Sequence, residues 1–330
     1  MDIIANIAEL RKRLSAETSI AFVPTMGNLH DGHLALVALA KQHASCVVVS
    51  IFVNPLQFAA NEDLASYPRT LKPDCQKLAA AGVNVVFTPT DAELYPQIQN
   101  ITVRLPGIAQ ELCGVARPTH FEGVATVVLK LFNIVQPQVA VFGNKDFQQL
   151  FIIGQLIRQL ALPIQLISGE TVRETDGLAM SSRNGYLKPA ERVEAPRLYR
   201  ALQQVVHAAQ QGRQDFPEIE SQTMQFLTQL GWIVDYISIR NAMTLTIATK
   251  ADRNLVVLGA ARLGKTRLID NIEFEIEFVF LIRWQKICKE PCLNPSYTVY
   301  ALRSRSWTMK VRAPLMKCCW KWPTYGNSSK

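Results

Sequence analysis

Thr18 to His33, TSIAFVPTMGNLHDGH, sets how this chain folds and where its chemistry sits. Residues 18–23 are apolar and β-prone and read as a strand closed by Pro24. Leu34 to Ala40 is apolar with helical spacing. A strand that runs through a glycine turn into a helix aims free backbone N–H groups and the positive end of a helix dipole at one spot, which suits a phosphate. Gly27 and Gly32 let the backbone approach a ligand closely. His30 and His33 stand one helical turn apart and can face the same way. A cationic or proton-donating imidazole there stabilises charge developing on a phosphate. Two surface histidines at a helix cap are the plainer reading of such a pair, and the HxGH spacing at a strand–helix junction argues against it.

Outward from this turn, strands and helices alternate. Cys46 to Val53 is a nearly continuous apolar run, as in a strand covered on both faces. A helix over about 71–81, a strand over 83–87, a helix over 121–135 and a strand over 139–142 follow. A helix over 147–160 and a strand over 164–167 complete the pattern. The succession predicts an α/β fold, a Rossmann-like doubly wound parallel sheet over residues 1–169, with ligands beyond the carboxyl ends of the strands. Past residue 170 the pattern changes to helices over about 190–211 and 216–230, then strands over 232–240 and 254–260. Residues 170–272 therefore read as a smaller C-terminal α+β lid domain.

Charge separates the remainder. The net charge is +8, and residues 273–330 supply +6 of it, together with four of the seven cysteines and four of the five tryptophans. The body is close to neutral and shows no basic stripe, which argues against a nucleic-acid binder. No apolar run approaches the ~20 residues of a membrane span, and the N-terminus lacks the pattern of a signal peptide, so a cytoplasmic location is expected. Cys46, Cys75 and Cys113 are widely spaced and show no disulfide or metal pattern.

Polar groups follow the strands. Asn54 and Gln57 can each donate and accept, which suits a substrate bearing hydroxyl and carboxylate groups. Lys145, at a helix start, can meet a phosphate, and Asp146 can accept from ribose hydroxyls or simply cap the helix. Met180-Ser181-Ser182-Arg183 is a basic, serine-containing loop. Arg117 and His120 read either as ligand contacts or as an intra-loop or inter-subunit pair.

The HxGH turn resembles the signature of adenylyl-transferring α/β enzymes. Together with VSIFVNPLQF (49–58), YPRTL (67–71), RPTHFEGV (117–124), FGNKDFQQL (142–150), DGLAMSSRNGYL (176–187) and RLIDN (267–271), it resembles the pantoate–β-alanine ligase family over residues 1–272. Thr119 stands where that family usually has glycine, and Asn144 where it often has glutamate. The resemblance implies a two-step, ATP-dependent condensation of pantoate with β-alanine through pantoyl adenylate, with no covalent enzyme intermediate. It implies that His30, His33, Lys145 and Arg183 are catalytic, His33 being the proton donor of the pair. Met26, Gly143, Lys145, Asp146, Val172, Met180, Ser181, Ser182 and Arg183 would line the ATP site with the two histidines. Gln57 and Gln149, with Asn54, would hold pantoate, and Gln57 would also guide β-alanine. Mg²⁺ would bridge the phosphates without dedicated protein ligands, and the assembly would be a homodimer. A nucleotidyltransferase acting on another small acid is the alternative reading.

Gly259 to Thr266, GAARLGKT, fits the P-loop pattern GxxxxGK[ST]. A P-loop must open into a helix, whereas residues 273–278 alternate like a strand, so the match is expected to be accidental. Residues 273–330 resemble nothing in the family. They read as an atypical basic tail from an altered reading frame or a truncated fusion, poorly ordered and dispensable. The spacing of Cys288, Cys292, Cys318 and Cys319 fits zinc sites poorly.

Overall fold

The computed structural model describes residues 1–59, 62 and 64–276. Its first half contains β1 (Asp2–Ile4), α1 (Ile7–Leu14), β2 (Ile20–Thr25), α2 (Asp31–Ala40), β3 (Cys46–Ile51), α3 (Leu71–Ala80) and β4 (Val85–Phe87). The short helices α4 (Asp91–Leu94) and α5 (Cys113–Ala116) lead to α6 (His120–Val135), β5 (Val139–Gly143), α7 (Phe147–Gln159) and β6 (Gln165–Gly169). All six strands are parallel, in the order β1-β4-β3-β2-β5-β6. The order reverses between β2 and β5, and that switch point is where such sheets bind ligands.

The strands are apolar throughout because both faces are covered. Phe22, Val48, Val85 and Phe87 enter one core with α1, α6 and α7, while Ala21, Val23, Val47, Val49 and Val86 enter the other with α2 and α3. Pro24 does not close β2, which runs to Thr25. Pro24 faces β5, and the pairing with β5 ends at Phe22, so its missing N–H breaks no ladder bond there. Strand β1, three residues on the sheet edge, carries too little pattern to be read from sequence.

The C-terminal lobe contains α8 (Pro189–Glu194), α9 (Arg197–Gln210), α10 (Phe216–Gln229), β7 (Ile233–Asn241), β8 (Asn254–Leu263) and β9 (Thr266–Glu275). The single helix expected over 190–211 is two, parted at Ala195–Pro196, because proline has no N–H to continue the ladder. The strands form an antiparallel sheet β7-β8-β9, whose core includes Trp232, Leu202, Ile239 and Val257. The P-loop match is a β-hairpin: Leu263 pairs with Thr266, and Gly264 turns the chain at φ +59°. No helix N-terminus follows Lys265, so the phosphate-cradling reading of GAARLGKT is excluded.

Strand β9 continues three residues past 272, and Phe274 and Ile276 are buried in the second core. The readings made for the tail lie, from residue 277 onward, outside the described residues. Among the described residues no helix is long and apolar enough to cross a membrane. Cys46, Cys75 and Cys113 are buried free thiols, and burial pushes the Cys46 thiol up to about 11.

Candidate active site

The turn from β2 into α2 is held by a carboxylate from α3. Asp74, 1% exposed, accepts from the N–H groups of Asn28 (2.8 Å) and Leu29 (2.9 Å) and from the Thr70 hydroxyl (2.9 Å). Lys77 Nζ, one turn along α3, donates to the Leu29 carbonyl at 2.5 Å. Gly27 (φ +85°) and Asn28 (φ +50°) take the left-handed conformations the turn needs, and a side chain at Gly27 would press on Asp74. Neither Asp74 nor Lys77 was legible as a site residue, since no spacing rule links them to a turn more than forty positions earlier.

His30 caps α2, and His33 lies in its first turn with the two rings 4.1 Å apart. His33 Nδ1 accepts from the His30 backbone N–H (3.3 Å), so the neutral imidazole carries its proton on Nε2. Burial pushes the pKa of His33 down to about 3 and that of His30 down to about 4; Lys145 and Lys77 nearby reinforce both shifts. The pair is therefore neutral near pH 7. His30 Nδ1 is buried and has no hydrogen-bond partner among the described residues.

A cavity of about 390 Å³ runs between the lobes. Lys145, Asp146 and Gln149, beyond the end of β5, line it from one side; Ser181 and Arg183 line it from the loop before α8. Ser182 Oγ donates to the Asn28 carbonyl (3.1 Å), joining that loop to the histidine turn. Val172 and Met180 are paired by a backbone bond (2.9 Å), which places both beside Ser181. Gly143 ends β5 directly before Asn144 and Lys145. Of the expected nucleotide residues, Lys145, Asp146, Ser181 and Arg183 line this cavity, while Met26, His30, His33, Gly143, Val172, Met180 and Ser182 are not among its lining residues.

Gln57 and Asn54 follow β3. Neither is among the described residues that line the cavity: Gln57 is 8% exposed, and Asn54, 1% exposed, is bonded to it. Its Oδ1 accepts from Tyr95 OH (2.8 Å) and Leu56 N (3.3 Å), and its Nδ2 donates to Gln57 Oε1 (3.1 Å) and the Gly123 carbonyl (3.2 Å). Gln57 Nε2 is thereby turned towards Met26, donating to its sulfur at 3.1 Å. Gly123 is required here, because a Cβ would collide with the Leu56 carbonyl. Arg117 forks onto Glu62 (2.6 and 2.7 Å) and contacts His120 Nε2 (2.9 Å), while His120 Nδ1 donates to the Gln57 carbonyl (2.9 Å). These contacts tie the loop before α6 to the segment after β3, and both Arg117 and His120 also line the cavity. Burial and the adjacent Arg117 hold His120 down at about 4. Thr119 caps α6 at φ +76°, a strained position for a β-branched residue where glycine fits freely.

Fold and site together define a doubly wound α/β protein with an HxGH turn at the switch point of its sheet. The sequence model described as Pantoate-beta-alanine ligase matches residues 2–273. A pantothenate synthetase of Methylobacillus flagellatus is 64% identical over 84% of this chain and 99% of its own length, and one of Thiobacillus denitrificans is 56% identical over 83% and 97%. A crystal structure of pantothenate synthetase from Thermus thermophilus superposes with TM-score 0.79 at 43% identity, over 83% of this chain and 99% of that one. A pantoate-beta-alanine ligase from Francisella tularensis, complexed with beta-gamma ATP and beta-alanine, superposes with TM-score 0.71 at 34% identity, over 83% and 97%. The chain belongs to the pantoate–β-alanine ligase family.

Proposed function

We propose that the chain condenses pantoate with β-alanine at the expense of ATP, and that the residues gathered at the β2–β5 switch point carry the reaction. The observation that carries this reading is a cleft lined by Lys145, Ser181 and Arg183, whose serine–arginine loop Ser182 ties to the His30–His33 turn, with Gln57 pointing its amide N–H beside Met26. A pantoate carboxylate oxygen attacks the α-phosphorus of ATP, and the bond to the β-phosphate oxygen breaks, releasing pyrophosphate. The β-alanine amine then attacks the acyl carbon, loses a proton and expels AMP. No side chain is acylated, so catalysis rests on positioning and charge stabilisation.

His33 Nε2–H, with His30, donates to the phosphate oxygens as charge moves onto the departing pyrophosphate. Lys145, Ser181, Ser182 and Arg183 hold the triphosphate, and Met26, Gly143, Asp146, Val172 and Met180 surround the nucleotide. Gln57 and Gln149 hold pantoate, with Asn54 fixing the sense of the Gln57 amide. Mg²⁺ accompanies the triphosphate. Asp146, half-exposed at the cleft beside Lys145, is the carboxylate that would face such an ion, which would supply charge neutralisation on the phosphates. The family resemblance also supports a homodimer and a cytoplasmic location.

Pyrophosphate release with ATP, Mg²⁺ and pantoate, followed by AMP and pantothenate on adding β-alanine, tests the reading. Pantoate-dependent turnover is expected, with a fall of about 10²-fold or more in kcat for His33→Ala, the usual scale for a lost transition-state donor. Turnover that ignores pantoate, or that is untouched by His33→Ala, would defeat it.

A further inference from the structure

The loop that carries Lys145 is held from the other lobe. Asn271, on β9 and 5% exposed, donates from Nδ2 to the carbonyls of both Asn144 and Lys145, each at 2.9 Å. These two carbonyls belong to the two planar peptide units that flank the Lys145 Cα. Fixing both planes fixes φ and ψ of Lys145, and so the direction in which its side chain leaves the backbone. The neighbouring Asp270 does the same work for the opposite wall. Its carboxylate takes a forked pair of bonds from Arg173 (2.7 and 2.9 Å), and Arg173 also donates to the Gly177 carbonyl (3.1 Å) in the segment leading to Ser181 and Arg183. The Asp270 Oδ1 additionally accepts from the Asn271 N–H (2.8 Å), which locks the two residues together.

We propose that Asn271 is a positioning residue for Lys145: through it, the C-terminal sheet builds the triphosphate half of the site instead of merely covering it. Resting on the reading of Lys145 as a phosphate ligand, the role is specific to the nucleotide, since the Gln57 network lies beyond β3 and, among the described residues, has no bond to β9. Replacing the amide by a carboxylate sets an oxygen against two carbonyl oxygens, and replacing it by alanine removes this donor from two half-buried carbonyls.

The test is calorimetric binding of ATP, and separately of pantoate, to the full chain and to Asn271→Asp, Asn271→Ala, Lys145→Ala and the Lys145→Ala/Asn271→Asp double variant. Melting curves identify the folded variants. Asn271→Asp is expected to weaken ATP about tenfold and to change pantoate less than about twofold, and to add little in the Lys145→Ala background, as for residues acting through one contact. Should the aspartate variant unfold, Asn271→Ala carries the same comparison. Equal weakening of ATP by the Asn271 change with and without Lys145, equal loss of both ligands, or no loss of ATP would overturn the positioning role while leaving Lys145 as a ligand. ATP affinity untouched by Lys145→Ala would instead remove the reading of Lys145 on which the role rests.

Discussion

A histidine is written the same way in a sequence whether it is charged or neutral, and three histidines here are neutral for one reason. His30, His33 and His120 are desolvated, and burial is the largest influence on each. Their pKa values near 4, 3 and 4 lie below the ordinary 6.5, so between about pH 4 and 6.5 the unfolded chain binds protons that the folded chain refuses. Stability is therefore complete above pH 6.5 and is lost as pH falls through that window, by about 1.4 kcal/mol per pH unit for each proton. Denaturant titrations from pH 7 to 4.5 should show this decline, and His120→Asn should make it shallower; an unchanged slope would show that His120 is not one of the groups responsible. Gln57 shows the same limit of the sequence in another form. Its position after a strand was legible, but the sense of its amide is set by Asn54, whose own sense is set by Tyr95.

The β2–α2 unit was legible because strand, glycine turn and helix are each local patterns. What holds the turn was not, because α3 reaches it only through the fold. Asp74 is the key side chain, with one oxygen for the Asn28 N–H and the other for the Leu29 N–H. Asp74→Ala would leave both without an acceptor, and a loss of about 2–4 kcal/mol is expected at ~1–3 kcal/mol per unpaired buried group. Asp74→Asn, with one acceptor oxygen, should fall between. Urea unfolding of the three proteins checks the order, and equal stability of Asp74→Ala and the parent would show that the carboxylate does not hold the turn. The division of the helix expected over 190–211 has a similar origin. The apolar spacing continues across Pro196, and only the missing N–H divides the element.

For the molecule as a whole, the position where the chain can be shortened is set by the second core. Ending the chain after Ile272 removes Phe274 and Ile276, both 8% exposed in that core, and the Glu273 carboxylate that accepts from Asn144 (2.7 Å). Ending it after Ile276 keeps all three. The 1–276 protein is expected to retain ATP binding and ligase turnover, whereas 1–272 should lose several kcal/mol of stability, on the scale of deleting large core side chains. Thermal melts and turnover of both truncations decide the matter; inactivity of a folded 1–276 protein would show that the remaining residues are needed.

Periodicities and spacings of a few residues were enough for the alternation of strands and helices and for the parallel sheet buried on both faces. They were enough, too, for the HxGH turn with its lysine and serine–arginine loops. The strand pattern after GAARLGKT likewise showed why that match is no P-loop. Which groups hold those motifs in place was settled only by folding. Asp74 on the turn, Asn271 on the Lys145 loop, Arg173 with Asp270, and Arg117 between Glu62 and Gln57 are contacts between residues tens to more than a hundred positions apart. Hydrogen bonds act over about 3 Å of space, whatever the separation along the chain. The neutrality of the histidines has the same origin, because desolvation is a property of the packed fold and not of the residue.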